Sequence, residues 1–420
     1  MRIEVICTGD ELLNGLTTDT NSPYFMARLF ELGERVVHAQ TVGDVREEIV
    51  QALRSTAARA RAVLVSGGLG PTADDLTAEC AAAAAGVPLV EDQPTLDLIR
   101  ARFAKRGIAF TPNNARQALV PRGAEVVRNP VGTAPMFIQQ VGGCTLFFVP
   151  GVPREYRALV DQQVLPRIAK LLQAEPNRTF RAFRLLKTVG LPESHLDALV
   201  APLAKVHTRV IFGFRTHAPE NHLKLLAEAD TQPAADRALA EAEKDCEGVL
   251  KQFLFGKDQD SFAGVVGALL RGQKATLAVA ESVTGGKIAE LLTEERGASD
   301  YFVGSAVTYH ESLKQRWASV PVEQLARFGA VSKEVALSMA EGVRAQAATT
   351  YGLSVTGFAG PTGGTASDPV GTVYYALAGP SGSKWHRTFL PGDRERVRAF
   401  AAYQALDLLR QHLMALGPRL

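Results

Sequence analysis

The chain has no long apolar run, no surplus of one charge and very little cysteine, and each shortage removes a class of protein. Its apolar stretches break off well short of the roughly 20 consecutive residues that a membrane span needs. The 46 Lys and Arg offset 44 Asp and Glu to leave +2, so bulk charge draws it neither to nucleic acid nor to an anionic membrane. The four cysteines, Cys7, Cys80, Cys144 and Cys246, are scattered without a CxxC pair. That argues against a structural zinc site or a disulfide framework and suits a reducing compartment. Met1 and Arg2 are followed by acidic Glu4, without signal-peptide architecture, so a soluble, cytoplasmic protein is expected. What is present is ordinary globular composition, 46% hydrophobic and 21% charged. At 420 residues the chain outruns a single core, which seldom exceeds about 250–300 residues, and about three domains are expected.

Apolar runs and helical patterns alternate in the first part. Residues 3–7, 35–41 and 62–66 read as buried strands, with helices over 21–33, 44–60 and 74–85 between them. This α/β pattern predicts a parallel sheet covered on both faces. Strands over 136–141 and 145–149, joined by Gly142-Gly143, read as a hairpin, and a long helix over 154–173 follows. Glu175-Pro176-Asn177 is turn-like and closes a first domain, 1–175. A small α+β domain, 176–256, carries strands over 180–189, 209–214 and 223–229 and helices over 193–199 and 234–250. The last domain, 257–420, alternates again, with strands over 275–280, 301–308, 353–356, 370–378 and 385–389. Its helices fall over 286–293, 331–347 and 394–416. No solenoid-type repeat is present. Residues 63–72 and 353–362 nevertheless share a strand, a hydroxyl, a glycine turn and Gly-Pro-Thr, with unmatched flanks, which predicts convergence on one backbone solution.

Glycines after a strand let the backbone turn with positive φ and bring several N–H groups to one point, a nest that holds phosphate without lysine. Gly67, Gly68 and Gly70 are so placed, and Thr72, Asp74 and Asp75 follow at once. Thr72 and Asp75 fit a capping box that closes the first helical turn. The adjacent carboxylates Asp74 and Asp75 beside such a nest repel each other and the phosphate, and a divalent cation bridging them relieves that conflict, the reading preferred over capping alone. Asp10, Glu11 and Asp44 also lie just beyond strand ends, where open α/β sheets gather their binding residues, so all five acids are candidate metal ligands.

This segment resembles the molybdopterin-binding-like domain of the competence/damage-inducible CinA family. The matching stretches are Gly9-Asp10-Glu11-Leu12-Leu13, Asp19-Thr20-Asn21, Val42-Gly43-Asp44, residues 67–77, 113–118 and 129–135, and Pro150-Gly151-Val152-Pro153. The resemblance implies a three-layer α/β/α fold and a metal-dependent ADP-ribose pyrophosphatase yielding AMP and ribose 5-phosphate. Magnesium, manganese or cobalt would be its cofactor, with Asn21, Gly67, Gly68, Gly70, Thr72 and Asn113 around the nucleotide.

In the last domain the strand over 275–280 runs into Glu281-Ser282-Val283-Thr284-Gly285-Gly286 and then a helix. A serine at such a junction is exposed beside main-chain amides that face a developing oxyanion. Ser282 or Thr284 serves equally well as an N-cap. A nucleophile needs a base. His310 is the nearest histidine, while Tyr309 and Lys314, past the next strand, can turn back toward Ser282. A desolvated lysine loses pKa and can take a serine proton.

The stretch from about 258 to 415 resembles the CinA carboxy-terminal, nicotinamide-nucleotide amidase family through residues 280–286, 303–309, Lys314, 330–336, 356–364 and 369–373. The resemblance implies an α/β amidase domain, needing no cofactor, that converts nicotinamide mononucleotide to the nicotinic acid form plus ammonia. Val283 stands where many members carry cysteine, which leaves Ser282 as the nucleophile. His310 and Glu311 replace small polar residues common there. The scheme expected is attack by Ser282, proton transfer by Lys314 and orientation by Tyr309 and Thr284. The Gly285 and Gly286 amides would hold the oxyanion, and a loop with Gly357, Gly360, Gly363 and Gly364 the ribose phosphate.

The middle segment resembles the family's KH-type linker domain, but no GxxG loop of the kind that clamps a nucleic-acid backbone occurs between Phe180 and Phe255. A structural or dimer-forming spacer is expected rather than an RNA-binding module, and a homodimer is the expected assembly. Three function classes follow: a bifunctional salvage enzyme acting on nicotinamide mononucleotide and ADP-ribose, a molybdopterin- or nucleotide-binding module with an inactive tail, and a competence-associated nucleic-acid-binding protein.

Overall fold

The computed structural model describes residues 1–175 and 179–417, so Pro176 and Asn177 of the expected turn lie outside the described residues. It packs as two compact units, Met1–Ala182 with Glu228–Ala235, and Phe183–Ala227 with Asp236–Leu420. The first is built on a six-stranded sheet in the order Val36–Val42, Ile3–Thr8, Ala62–Ser66, Cys144–Val149, Met136–Val141, Glu125–Val127. The first four strands run parallel, Met136–Val141 runs against them as the expected hairpin, and Glu125–Val127 pairs antiparallel with Met136–Val141. The three central strands are buried along their whole length, as a sheet covered on both faces requires. Phe25, Leu29, Phe147 and Tyr156 pack on one face, and Ile49, Leu53, Val65 and Phe148 on the other, which completes the three layers.

The register aligns the carboxyl ends of these strands: Cys7 lies opposite Thr41 and Ser66, and Ser66 opposite Val149. Gly9 N–H donates to the Val42 carbonyl and Gly67 N–H to the Val149 carbonyl, so the loops open along one edge. The long helix expected over 154–173 is present as Pro153–Leu159 and Leu165–Gln173 around a π turn, Val160–Val164. Pro166 lacks the N–H of a regular turn, and the wider π turn absorbs the gap. The helix expected from 74 begins only at Thr77. Between residues 86 and 135, where the pattern predicts no elements, lie the helix Gln93–Lys105, the pair Leu89–Glu91 and Leu119–Pro121, and the 3-10 turn Pro112–Ala118.

Next along the chain is a four-stranded sheet in the order Val210–His217, Glu220–Ala229, Phe180–Val189, Leu254–Lys257, its outer pairs antiparallel. Its helix Glu193–Val206 runs past the expected end at 199 and through Pro202. A five-stranded sheet follows, ordered Phe302–Val307, Leu277–Glu281, Tyr351–Gly357, Thr372–Gly379, Gly382–Phe389. Phe262–Gly272 and Arg394–Leu416 cover one face through Val266, Leu270, Leu406 and Leu409. Lys333–Ala347 covers the other, where Ala336 and Ala340 meet Ala376 and Ala378 and let the helix sit close. Side-chain caps start helices in this part of the chain, among them Ser261 on the Gly264 amide, Ser332 on Val335 and Asp393 on Arg396.

The similar loops over 63–72 and 353–362 do not share one backbone solution. The first turns on positive φ at Gly67 and Gly68, the second on Gly360 with a cis Gly360-Pro361 bond. Their destinations differ: the first feeds the helix Thr77–Ala85, the second returns as an antiparallel strand.

Candidate functional site

At the carboxyl edge of the first sheet lies a cavity of about 480 Å³ lined by strand ends and by the loops and helix starts that follow them, among them Gly67, Gly68, Gly70, Asn21 and Glu155. Gly67 and Gly68 hold φ of 108° and 63°, and a side chain at either would strike Thr8 or Thr77, so only glycine permits this close turn. Asn21 fixes the floor by donating to the Ser66 hydroxyl at 3.1 Å and the Gly151 carbonyl at 2.8 Å. Thr72 and Asn113 do not line it. Thr72 donates to Asp75 through both its amide and its hydroxyl, and exposed Asn113 accepts from Thr111. From that turn it is Gln117 that reaches the cavity. Glu155, which accepts from Asn129 at 2.7 Å, is a second lining residue that the motif reading left without a role.

The five acids do gather on this edge, with different duties. Asp75 accepts from the Gly70 and Thr72 amides, so its carboxylate closes the glycine loop on itself and caps no helix. Asp10 and Asp44 exchange bonds, each carboxylate taking the other's amide at 3.0 Å. Burial raises the Asp44 pKa, and the charges of Asp10, Glu11 and Asp74 add to the rise. Among the described residues no three His, Cys, Asp or Glu side chains converge into a metal cage. Glu11, Asp44 and Asp74 nevertheless line one cavity, and among the described residues none of them has an ion-pair partner. That set suits an ion held by one or two carboxylates together with the substrate's phosphate oxygens, the habit of magnesium.

In the second unit Ser282 follows the strand Leu277–Glu281, and its amide donates to the Val355 carbonyl at 3.0 Å. Lys314, on the helix Glu311–Ala318, is 1% exposed, and its Nζ reaches Ser282 Oγ at 2.8 Å and the Thr308 carbonyl at 2.6 Å. Burial pushes the amine down to about 8, against a smaller upward pull from Glu311. The expected serine–lysine pair is therefore assembled. His310 instead caps its own helix by accepting from the Ser312 amide.

Two expected contributions fall elsewhere. Tyr309 is 59% exposed and its hydroxyl accepts from Arg394 at 2.6 Å, so it does not hold Ser282 or Lys314. The amides of Gly285 and Gly286 are spent, the first on the Ser282 carbonyl and the second on Glu281 Oε2 at 3.0 Å. The buried Glu281 carboxylate also takes the Ile288 and Ala289 amides and the Ser305 hydroxyl, which locks the loop to the start of the next helix. The loop amides left without a partner among the described residues are those of Val283 and Thr284, and they are the ones free to meet an oxyanion. Thr284, two residues on from Ser282, is fully buried, and its Oγ1 has no hydrogen-bond partner among the described residues.

The loop after the strand Tyr351–Gly357 holds φ of 76°, 95° and 83° at Gly360, Gly363 and Gly364, and its base is tied by Tyr374 and Arg387 on Asp368. Gly357 ends that strand. Arg394 joins the Gly360 carbonyl to Tyr309, and Arg398, one helical turn on, donates to the Thr284 carbonyl at 2.9 Å. These two arginines bring positive charge to the dyad and the glycine loop. Their only sequence signal is a four-residue spacing at the head of the closing helix.

Three family descriptions match the chain in series: "Probable molybdopterin binding domain" over residues 4–170, "Damage-inducible protein CinA KH domain" over 183–256 and "CinA C-terminal domain" over 259–413. A CinA-like protein of Myxococcus xanthus is 58% identical over 416 residues, covering 99% of each chain. The chain belongs to the CinA family. A CinA-like protein of Anaeromyxobacter dehalogenans is 44% identical, covering 98% of this chain and 99% of its own. A crystal structure of CinA from Thermoplasma acidophilum is 36% identical, covering 40% of this chain and 97% of that one, with a TM-score of 0.37.

Three features of this CinA-family chain bear on what the sites can do. The four cysteines are all buried and free, and burial raises Cys7 to about 12, far from a reactive thiolate. No described helix is long and apolar enough to cross a membrane. Both sites, finally, are built from loops at the carboxyl ends of strands, each inside its own unit.

Proposed function

We propose that the chain is a bifunctional pyridine-nucleotide salvage hydrolase, with an amidase in the domain 257–420 and an ADP-ribose pyrophosphatase in the domain 1–175. The observation that carries the reading is the buried Lys314 amine on the Ser282 hydroxyl. A lysine amine titrating near 8 is neutral in a useful fraction of molecules at physiological pH and can serve as a base. Ser282 Oγ attacks the carboxamide carbon of nicotinamide mononucleotide while its proton passes to neutral Lys314. The amides of Val283 and Thr284 receive the oxyanion. Lys314 returns the proton to the departing nitrogen, the C–N bond breaks and ammonia leaves. Water then attacks the acyl-enzyme ester with Lys314 again as base, releasing nicotinic acid mononucleotide and restoring Ser282.

Arg398 and Arg394, with the glycine loop over 360–364, meet the substrate's phosphate. Replacing Arg398 with Ala is expected to raise KM for nicotinamide mononucleotide about ten- to hundredfold while kcat changes little. The phosphate-free riboside should show almost no change, and steady-state kinetics on both substrates checks this.

In the first domain the glycine loop cradles the pyrophosphate, and Glu11, Asp44 and Asp74 would hold the divalent ion beside it. When bound, that ion (magnesium, manganese or cobalt) neutralises charge on the phosphate oxygens. Water adds across the P–O–P bond of ADP-ribose to give AMP and ribose 5-phosphate. A homodimer and a cytoplasmic setting complete the proposal, and nucleic acid has no part in it.

A product assay with both substrates tests the two-site reading. In Asp44→Asn/Asp74→Asn, pyrophosphate cleavage should fall at least about a hundredfold while ammonia release stays at the wild-type rate. Loss of both activities, or of neither, contradicts it. A chain that releases no ammonia at all favours the binding-module or competence reading.

A further inference from the structure

The strands Val210–His217 and Glu220–Ala229 form a hairpin in the KH-type domain, and its register sets His217 opposite Glu220 and Arg215 opposite His222. Opposed residues share a face of the sheet, and so do residues two apart along a strand, so these side chains gather on one side at the hairpin's end. Glu220 and His222 are buried there, 7% and 5% exposed, while His217 and Arg215 are exposed. Glu220 Oε2 lies 2.6 Å from His222 Nε2, and Glu220 Oε1 accepts from the Tyr403 hydroxyl at 3.0 Å. A carboxylate only accepts, so His222 Nε2 carries the proton and donates it. His222 Nδ1 is then a bare lone pair, and it is buried with no hydrogen-bond partner among the described residues. A buried polar atom left without a partner is costly and rare in native proteins. The His217 ring stands beside that of His222, their centres 5.7 Å apart.

We infer that His217 and His222 together bind a divalent cation of the zinc, nickel and copper class, with Glu220 fixing the His222 tautomer from behind. A histidine that ligates a metal almost always donates its other ring N–H to a carboxylate, carbonyl or water, and a carboxylate there makes the ligating nitrogen more basic. Glu220 and His222 already form that pair, with Nδ1 as the ligating atom. At metal–nitrogen distances of about 2 Å, two imidazoles on one tetrahedral ion have ring centres roughly 5 Å apart. A small turn of the exposed His217 side chain closes the difference. Among the described residues no three His, Cys, Asp or Glu side chains converge, so water completes the coordination. Imidazole suits zinc, nickel and copper, whereas magnesium takes oxygen ligands, which separates this site from the carboxylates of the first domain. Arg215 adds a positive charge on this face, and the solvent that reaches it screens the repulsion.

Calorimetric titration of the dialysed full chain with zinc chloride tests this and uses neither proposed activity. Excess magnesium is kept in the buffer to occupy the first domain's carboxylates. The wild type should bind one zinc at this site, and Asp44→Asn/Asp74→Asn should bind it equally well. His217→Ala, a change at an exposed position, should weaken binding at least about a hundredfold. Glu220→Gln keeps an acceptor for His222 but loses the charge, and should weaken it about ten- to hundredfold. Copper(II) on the same samples should show hyperfine coupling to two imidazole nitrogens in the wild type and to one in His217→Ala. A wild type that binds no zinc, zinc binding unaltered by His217→Ala, or a copper spectrum without nitrogen coupling overturns the inference.

Discussion

Lys314→Met should release ammonia from nicotinamide mononucleotide about 10³–10⁴ times more slowly than the wild type and melt no earlier. The side chain is 1% exposed, so methionine keeps the packing while removing an amine whose charged form is poorly solvated there. In the wild type, kcat/KM should rise tenfold per pH unit below about 8 and level off above it. The sign follows from the role. Burial favours the neutral amine and lowers its pKa, and only the neutral amine accepts the Ser282 proton. Activity is therefore lost on the acid side. Glu311 pulls the other way, so Glu311→Gln should move the rising limb to lower pH. A flat profile between about pH 6 and pH 9 would remove Lys314 as the base.

The second large effect is expected at Glu281, which touches no substrate. Its carboxylate accepts from three main-chain amides and a serine hydroxyl, at 2.9 to 3.1 Å. Glu281→Gln replaces one acceptor oxygen by a donor that faces N–H groups, leaving buried amides unpaired. The expected cost is about 3 kcal/mol of stability, with kcat for ammonia release down about a hundredfold because the Ser282 loop loses its anchor. ADP-ribose cleavage should be unchanged. Thermal denaturation and the two product assays on one preparation check the triple outcome. Unaltered kcat would show that the loop holds its shape without this carboxylate.

Local signals made much of this legible in the sequence. Alternating apolar runs, the Gly142-Gly143 hairpin and the helical patterns over 331–347 and 394–416 depend on neighbours a few residues away, and the matching elements are in place. The Ser282–Lys314 pair was also readable, because Ser282 follows one strand of a parallel pair and Lys314 lies on the helix that follows the other. What was hidden depends on distant partners or on competition for the same group. Arg398 meets Thr284 across 114 residues of sequence. Gly285 and Gly286 looked like oxyanion donors until a buried carboxylate next to Ser282 claimed one of them. Asp75 looked like a cap or a metal ligand, yet the amides of its own loop occupy it. Gln117 lay inside the matching stretch 113–118 but without a role, since its buried, unpaired Oε1 becomes visible only when its surroundings are packed.

The account turns on a covalent bond to one oxygen, and mass spectrometry reads that bond directly. Wild-type protein mixed with nicotinamide mononucleotide and quenched in acid within a turnover should yield a Ser282 peptide heavier by the nicotinoyl mononucleotide. The adduct should be absent from Ser282→Ala, which should release no ammonia above the background rate. Rapid ammonia release by Ser282→Ala, or an adduct on any other residue, would contradict it.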